Sequence, residues 1–191
     1  MPEQYHRDSD PVETEIQSGI SIVAVNNPPV NALNHEVRGA IEPAIRRAFA
    51  DPSVRAIALL GKGRCFSGGA DVKEFGKPRV KPFLTDLCNQ LESCGKPVVS
   101  AVHGVAVGGG TELALACHYR LDDESALIGL PEIKLGQIPG AGGSQRLPGL
   151  IGFDAALNVI LTGTSMPDGD QAGLSKGRLK RCWQRSRDRN R

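Results

Sequence analysis

Apolar positions along the chain fall alternately into short continuous runs and into helical spacing, which predicts strands and helices in turn. The run "ISIVAV" at 20–25 reads as a strand ended by "NPP", because proline cannot donate to a β-ladder. "HEVRGAIEPAIRRAFAD" follows, with Val37, Ile41, Ile45 and Phe49 at helical spacing and Asn34 placed to cap it. Pro43 is expected to kink or break this helix. "VRAIALL" at 54–60 predicts a strand, "GKGRCFSGGAD" a loop, "VKPFLTDLCNQLES" a helix, and "KPVVSAV" at 96–102 another strand. "GVAVGGG" then leads into the helix "TELALAC", followed by short strands in "YRLDD" and "SALIGL". A loop-rich stretch with helical turns, "PEIKLGQIPGAGGSQRLPGLIG", precedes the amphipathic helix "FDAALNVILTG".

That alternation predicts an α/β domain with a mostly parallel or mixed sheet. It also contains an internal echo. "VRAIALLGKGRCFSGGADV" and "KPVVSAVHGVAVGGGTEL" both run strand, glycine turn, short extended piece, glycine pair, helix. A common strand–turn–helix habit would produce some of this likeness, and a structural repeat would produce all of it.

Composition adds a single domain and little else: 191 residues, 40% hydrophobic and 23% charged, suffice for one core. No run approaches the roughly 20 apolar residues of a membrane helix, and the polar start "MPEQYHRDSDPVETE" lacks the order of a secretory signal. The default expectation is a cytoplasmic chain with no membrane partner. Cys65, Cys88, Cys94, Cys117 and Cys182 form no metal-ligand spacing with the histidines, and are expected to be reduced and mostly buried, with no metal bound. The net charge of +2 is uneven, since eight Lys/Arg and one acid lie in Lys176–Arg191. Nothing upstream supports nucleic-acid binding, so the division expected is a core at 1–167 and an atypical basic tail at 168–191.

Three consecutive glycines, Gly108, Gly109 and Gly110, stand before a helix that carries one acid, Glu112. A P-loop would need a lysine and a hydroxyl after its glycines, and a Rossmann turn would need GxGxxG directly after the first strand; neither is present. Backbone N–H groups at a helix start can instead be aimed at an oxyanion. The turn in "FSGGAD" supplies a second donor, so the Ala70 and Gly109 amides are candidates for one shared oxygen, the alternative being that both turns only connect elements. Glu112, in the first turn of its helix, could serve the dipole or a capping box, and Glu132 could be an ordinary surface acid. His103 and His118 lack a triad pattern, and Ser67 lacks a GxSxG elbow.

Taken together, "NNPPVNALN", "FSGGADVKEF", "HGVAVGGGTELALACHYRLDD" and "GLPEIKLGQIPGAGGSQRLPGLIG" resemble the enoyl-CoA hydratase/isomerase (crotonase) superfamily, from about Ile20 to Gly163. The wording of "NPPVNAL" and "ACHYRL" is similar to the hydratase part of multifunctional fatty-acid oxidation enzymes, in which a 3-hydroxyacyl-CoA dehydrogenase follows. The resemblance implies a crotonase fold, a spiral of ββα units, which suits the echo. It implies an oxyanion hole at Ala70 and Gly109, catalytic carboxyls at Glu112 and Glu132, and a water-positioning backbone at Gly140. It places coenzyme A against Val30, Ala32, Gly68, Asp71 and Val72.

The implied activity is hydration of 2-enoyl-CoA to 3-hydroxyacyl-CoA in fatty-acid β-oxidation, with no cofactor beyond the thioester substrate. A Δ3,Δ2-enoyl-CoA isomerase and a non-catalytic acyl-CoA-binding piece are the alternatives. The implied assembly is a homotrimer or hexamer, or a chain continuing into a dehydrogenase. After "LTG" the family usually continues with more helices, whereas "TSMPDGDQAGLSKGRLKRCWQRSRDRNR" departs from that pattern, as a frameshifted or truncated reading would. Apolar surface at Leu157, Ile160 and Leu161 is then expected to be left uncovered.

Overall fold

The computed structural model describes residues 10–123 and 126–166 and the backbone of residues 180–181. Apart from that dipeptide, the 168–191 tail and Cys182 lie outside the described residues. The main sheet has the order β1-β2-β3-β4-β6-β8, formed by β1 (Val12–Gln17), β2 (Ile20–Val25), β3 (Ala56–Gly61), β4 (Val98–Val102), β6 (Tyr119–Asp122) and β8 (Lys180–Arg181). Strands β2, β3, β4 and β6 run parallel, and β1 and β8 close the two edges antiparallel. A second, two-stranded parallel sheet pairs β5 (Val105–Val107) with β7 (Leu127–Gly129). Parallel central strands must be buried on both faces, which is why β3 and β4 read as apolar runs.

The internal echo is a structural repeat. β3 leads through a turn to Ser67, β4 leads to β5, and β6 leads to β7. The second members of these units lie side by side, since Ser67 bridges Ala106 in parallel and β5 pairs with β7. Each unit then enters a helical piece: a 3-10 turn at Val72–Glu74, helix α3 (Gly109–Ala116), and a 3-10 helix at Glu132–Leu135. Successive turns of this ββα spiral therefore bring 67–71, 107–112 and 129–132 to one end of the molecule.

Helix α1 (His35–Ala50) is capped by Asn34, whose side chain accepts from the Val37 N–H, as its sequence predicts. It does not break at Pro43. Val37 and Ile41 before the proline and Ala44, Ile45 and Ala48 after it all enter the core, and this burial outweighs the local cost of about 3 kcal/mol. Phe49, expected on the buried stripe, is half exposed and lies against Gly95. Helix α2 (Leu84–Glu92) starts later than predicted, because Pro78 and Pro82 keep the preceding segment extended and the Asp86 carboxylate accepts the Phe83 N–H at the true start. Strand β1 has no predicted counterpart; four of its six residues are exposed, so its sequence carries no apolar signal. Helix α4 (Gly143–Ile151) occupies part of the stretch read as loop-rich, and α5 (Phe153–Thr162) is the expected amphipathic helix.

Cys65, Cys88 and Cys117 are buried thiols and Cys94 is half-buried. On α5, Leu157 and Leu161 are exposed as expected, together with Phe153, whereas Ile160 packs partly against the core. Among the described residues no helix is long and apolar enough to cross a membrane, and no group of three or more His, Cys, Asp or Glu is placed to hold a metal.

Candidate active site

The two glycine turns meet because neither has a side chain where they touch. A Cβ on Gly69 would lie 2.6 Å from the Val107 carbonyl oxygen, and one on Gly110 would lie 2.6 Å from the Ser67 carbonyl oxygen. Gly108 adopts φ 54° and ψ −124°, a conformation open in practice only to glycine, and its N–H is spent on the Gly129 carbonyl at 2.9 Å. Gly109 then opens α3, where a helical N–H has no acceptor of its own. A methyl built on Gly109 would sit 3.4 Å from the Ala70 nitrogen, so the two amides border one small space. Among the described residues neither N–H has an acceptor, and both residues line a cleft of ≈ 1100 Å³.

The "FSGGAD" turn is held by a buried asparagine that sequence reasoning missed. Asn31 accepts the Asn27 N–H at 2.9 Å and donates to the carbonyls of Lys62 and Cys65 at 2.9 and 2.8 Å. The Ser67 hydroxyl donates to the Asn31 carbonyl at 2.8 Å and accepts the Gly69 N–H at 3.1 Å, so Ser67 fixes the turn and is 1% exposed. The 30–33 segment pairs with the turn through Gly68 N–H to the Val30 carbonyl (2.7 Å) and Leu33 N–H to the Gly69 carbonyl (2.8 Å).

Glu112 is 3% exposed, on a helix whose eight residues are all buried. An acid there cannot serve as a solvated helix-start charge. Its Oε1 instead accepts the Ala141 N–H at 2.7 Å and the Gly143 N–H at 2.9 Å, at the first turn of α4. Burial pushes its pKa above the usual carboxylate value, while these two amides and the nearby Arg146 favour the ionised form. Glu132, across the cleft in its 3-10 helix, has a buried Oε2 with no hydrogen-bond partner among the described residues, and its Oε1 faces Gly108. Burial raises its pKa to about 7; its own backbone opposes the shift, and the charge of Glu112 adds to it. The two carboxyls are therefore electrostatically coupled, with Glu112 the better equipped to carry the negative charge and Glu132 to carry the proton.

Gly140 is exposed on the cleft wall, and its carbonyl accepts the Thr85 hydroxyl at 3.3 Å. Gly68, Asp71 and Val72 line the cleft. Val30 and Ala32 lie behind that wall: the Val30 carbonyl is taken by Gly68, and the Ala32 carbonyl accepts the Asn27 side chain at 2.7 Å. Sequence reasoning also missed Arg38. Its guanidinium donates to the Leu33 and Pro82 carbonyls and pairs with Glu74 at 2.8 Å, tying α1 to both ends of the 74–82 segment that forms the rim. His103 bonds the Gly63 carbonyl and His118 accepts the Val98 N–H, both away from the cleft.

Such an arrangement, with two N–H donors facing one small space and two coupled carboxyls on the same cleft, suits a reaction that places negative charge on one oxygen while moving protons beside it. The sequence model of enoyl-CoA hydratase/isomerase matches residues 15–175. The chain belongs to that family.

Its relatives span several kinds of protein. It is 49% identical over 148 residues to the peroxisomal bifunctional enzyme of Danio rerio, covering 78% of this chain and 21% of that one. It is 38% identical over 159 residues to a protein named probable enoyl-CoA hydratase of Bacillus subtilis (strain 168), covering 80% of this chain and 62% of the other. Among solved structures, the enoyl-CoA hydratase from Bacillus anthracis superposes with TM-score 0.79 at 32% identity, over 86% of this chain and 68% of that one. The fold is thus the crotonase fold. The chain spans about a fifth of the length of the bifunctional enzyme and about three fifths of the Bacillus subtilis protein.

Proposed function

We propose that this domain adds water across the 2,3 double bond of a 2-enoyl-CoA, giving a 3-hydroxyacyl-CoA, as a step of fatty-acid β-oxidation. The observation that carries this reading is the pair of coupled carboxyls, Glu112 and Glu132, on the same cleft as the Ala70 and Gly109 amides, which have no acceptor among the described residues. Attack at C3 of a conjugated thioester moves charge onto the thioester oxygen. Two preorganised donors at that oxygen stabilise the enolate-like state, each by about 3 kcal/mol.

Water sits between the carboxyls, oriented by the backbone at Gly140. Glu112, ionised on the Ala141 and Gly143 amides, takes a proton from it as oxygen bonds to C3. Glu132, protonated, delivers its proton to C2, and the product leaves with both carboxyls in exchanged states until a proton passes between them through solvent. No resident cofactor is needed, since coenzyme A belongs to the substrate and runs past Gly68, Asp71 and Val72, with Val30 and Ala32 supporting that wall. The product is an alcohol β to the thioester, which suits a following 3-hydroxyacyl-CoA dehydrogenase in the same chain; a homotrimer or hexamer is the alternative assembly.

A Δ3,Δ2-isomerase needs one carboxyl to shuttle a proton between C4 and C2, so the second carboxyl favours hydration. Supplying 2-enoyl and 3-enoyl thioesters separately tests the choice. Hydration predicts loss of the conjugated absorbance of crotonyl-CoA and formation of 3-hydroxybutyryl-CoA. A protein that binds the thioester, leaves that absorbance unchanged and converts only the 3-enoyl substrate refutes it.

A further inference from the structure

Behind the wall that carries Gly140 and Ala141 lies a second cavity of ≈ 310 Å³, lined by Thr85, Asn89, Glu92, Gln145 and Arg146. Gly140 and Ala141 border both this cavity and the cleft. The backbone that grips Glu112 is therefore a partition between the cleft and this cavity, with Ala141 itself packed into the core.

Arg146 is in place to hold that partition. It is 7% exposed, its Nη1 donates to the Ala141 carbonyl at 2.8 Å, and its Nη2 pairs with Glu92 Oε2 on α2 at 2.7 Å. The same Ala141 residue gives its N–H to Glu112 Oε1, so one peptide segment is gripped from behind by a cation and presents its donor to the carboxylate in front. The guanidinium also lies directly over Gly142, at φ 100°, where a side chain would strike Arg146 Nη1. A charged arginine buried with one carboxylate and one carbonyl is costly unless its geometry is fixed, and this one is fixed from two helices.

We propose that Arg146, anchored by Glu92, is a positioning residue for hydration: it holds the 139–143 partition so that the Ala141 and Gly143 amides keep Glu112 ionised and aimed at the water. The inference rests on the hydratase reading for its kinetic consequence and on geometry alone for its effect on Glu112. Among the described residues the ionisable groups that act on Glu112 or feel its charge are Arg146 from α4, Glu132 across the cleft and Cys88 from α2, with Glu92 placed behind them on Arg146. Removing the cation raises the proton affinity of Glu112 directly and again by loosening its two amide donors.

The test compares the whole chain with Arg146→Met, Arg146→Lys and Glu92→Gln. The carboxyl of Glu112 is titrated by carbon-13 NMR, and crotonyl-CoA hydration is followed across pH. Arg146→Met is expected to move the Glu112 midpoint up by about one pH unit and to lower kcat by roughly 10–100-fold with KM within about threefold. The pH at which kcat rises should move up with the midpoint. Lysine, a point charge that cannot bridge two acceptors as a fork, restores part of the loss in both readouts, whereas Glu92→Gln removes a negative charge together with the anchor and is read on kcat, which should fall by less than in Arg146→Met. If Arg146→Met does not fold, those two variants carry the comparison. A wild-type protein that binds the thioester but adds no water refutes the hydratase reading and leaves the titration to judge Arg146. An unchanged Glu112 midpoint in the Arg146 variants overturns the positioning role, whether or not the wild type is active.

Discussion

Replacing Gly109 by alanine separates the proposed oxyanion hole from the helix that carries it. The added methyl would lie 3.4 Å from the Ala70 nitrogen, an ordinary contact distance, and 2.7 Å from Leu84 Cδ2, the far end of a flexible side chain that can turn away. The backbone at Gly109 is helical, and alanine is the better helix former by about 1 kcal/mol. Stability should therefore stay within about 1 kcal/mol of wild type. In the proposed reaction, however, the methyl fills the space of the thioester oxygen, so neither amide can reach it. Losing one donor costs about 3 kcal/mol, or 10²–10³ in rate, and displacing the oxygen from both costs at least that much. Thermal unfolding and crotonyl-CoA hydration measured on the same preparation check the claim. A folded Gly109→Ala protein with kcat within threefold of wild type would show that the oxygen binds elsewhere.

Other consequences follow from the same geometry. A Cβ on Gly143 would lie 3.1 Å from Glu112 Cγ and Oε1, tighter than carbon contacts ordinarily allow, so Gly143→Ala should lower kcat by roughly tenfold or more while leaving thioester affinity intact; calorimetric binding and steady-state kinetics separate the two. The carboxyl of Glu132 titrates near 7 in the folded chain instead of 4.5, so the folded state holds a proton that the unfolded chain has released between these values. That contribution is complete below about 4.5 and is lost as pH rises through about 7. Glu132→Gln should accordingly gain about 1–2 kcal/mol over wild type at pH 8, after allowance for the partial solvation of Glu132, and almost nothing at pH 4.5. A difference in unfolding free energy that does not change between those pH values contradicts the shift. Burial pushes the Cys88 thiol up to about 12, so iodoacetamide at pH 8 should alkylate the half-buried Cys94 in the native protein and leave Cys88 untouched until unfolding, as peptide mass spectrometry would report.

The parts of the fold legible in the sequence are those where burial has a period. Strand β2 and helix α5 fall where their patterns put them, and Asn34 caps α1 as its residue type suggests, because a half-buried element repeats its apolar residues. Strand β1 was silent, as an edge strand satisfies its backbone on β2 while most of its side chains face water. Pro43 acts in the other direction: its local penalty, visible in sequence, does not end the helix, because the residues on both sides of it enter the core.

Glu112 and Glu132 were legible as a pair only through the motifs around them, since an acid in a first helical turn and an acid after a proline each have ordinary explanations. Burial removes the ordinary explanation for Glu112, and the orphaned Oε2 removes it for Glu132. Asn31, Arg38, Glu92 and Arg146 left no signal. Their partners are backbone carbonyls and single side chains distant in sequence, and polar residues used in this way have neither period nor spacing.

If two carboxyls on this cleft divide the work of adding water, removing either one must all but stop it. Crotonyl-CoA hydration by the wild-type chain beside Glu112→Gln and Glu132→Gln tests it most directly, with thioester binding measured for all three. The wild type should hydrate, and the two variants should bind the thioester yet lose at least about 10²-fold in kcat. Either variant hydrating at the wild-type rate would contradict it.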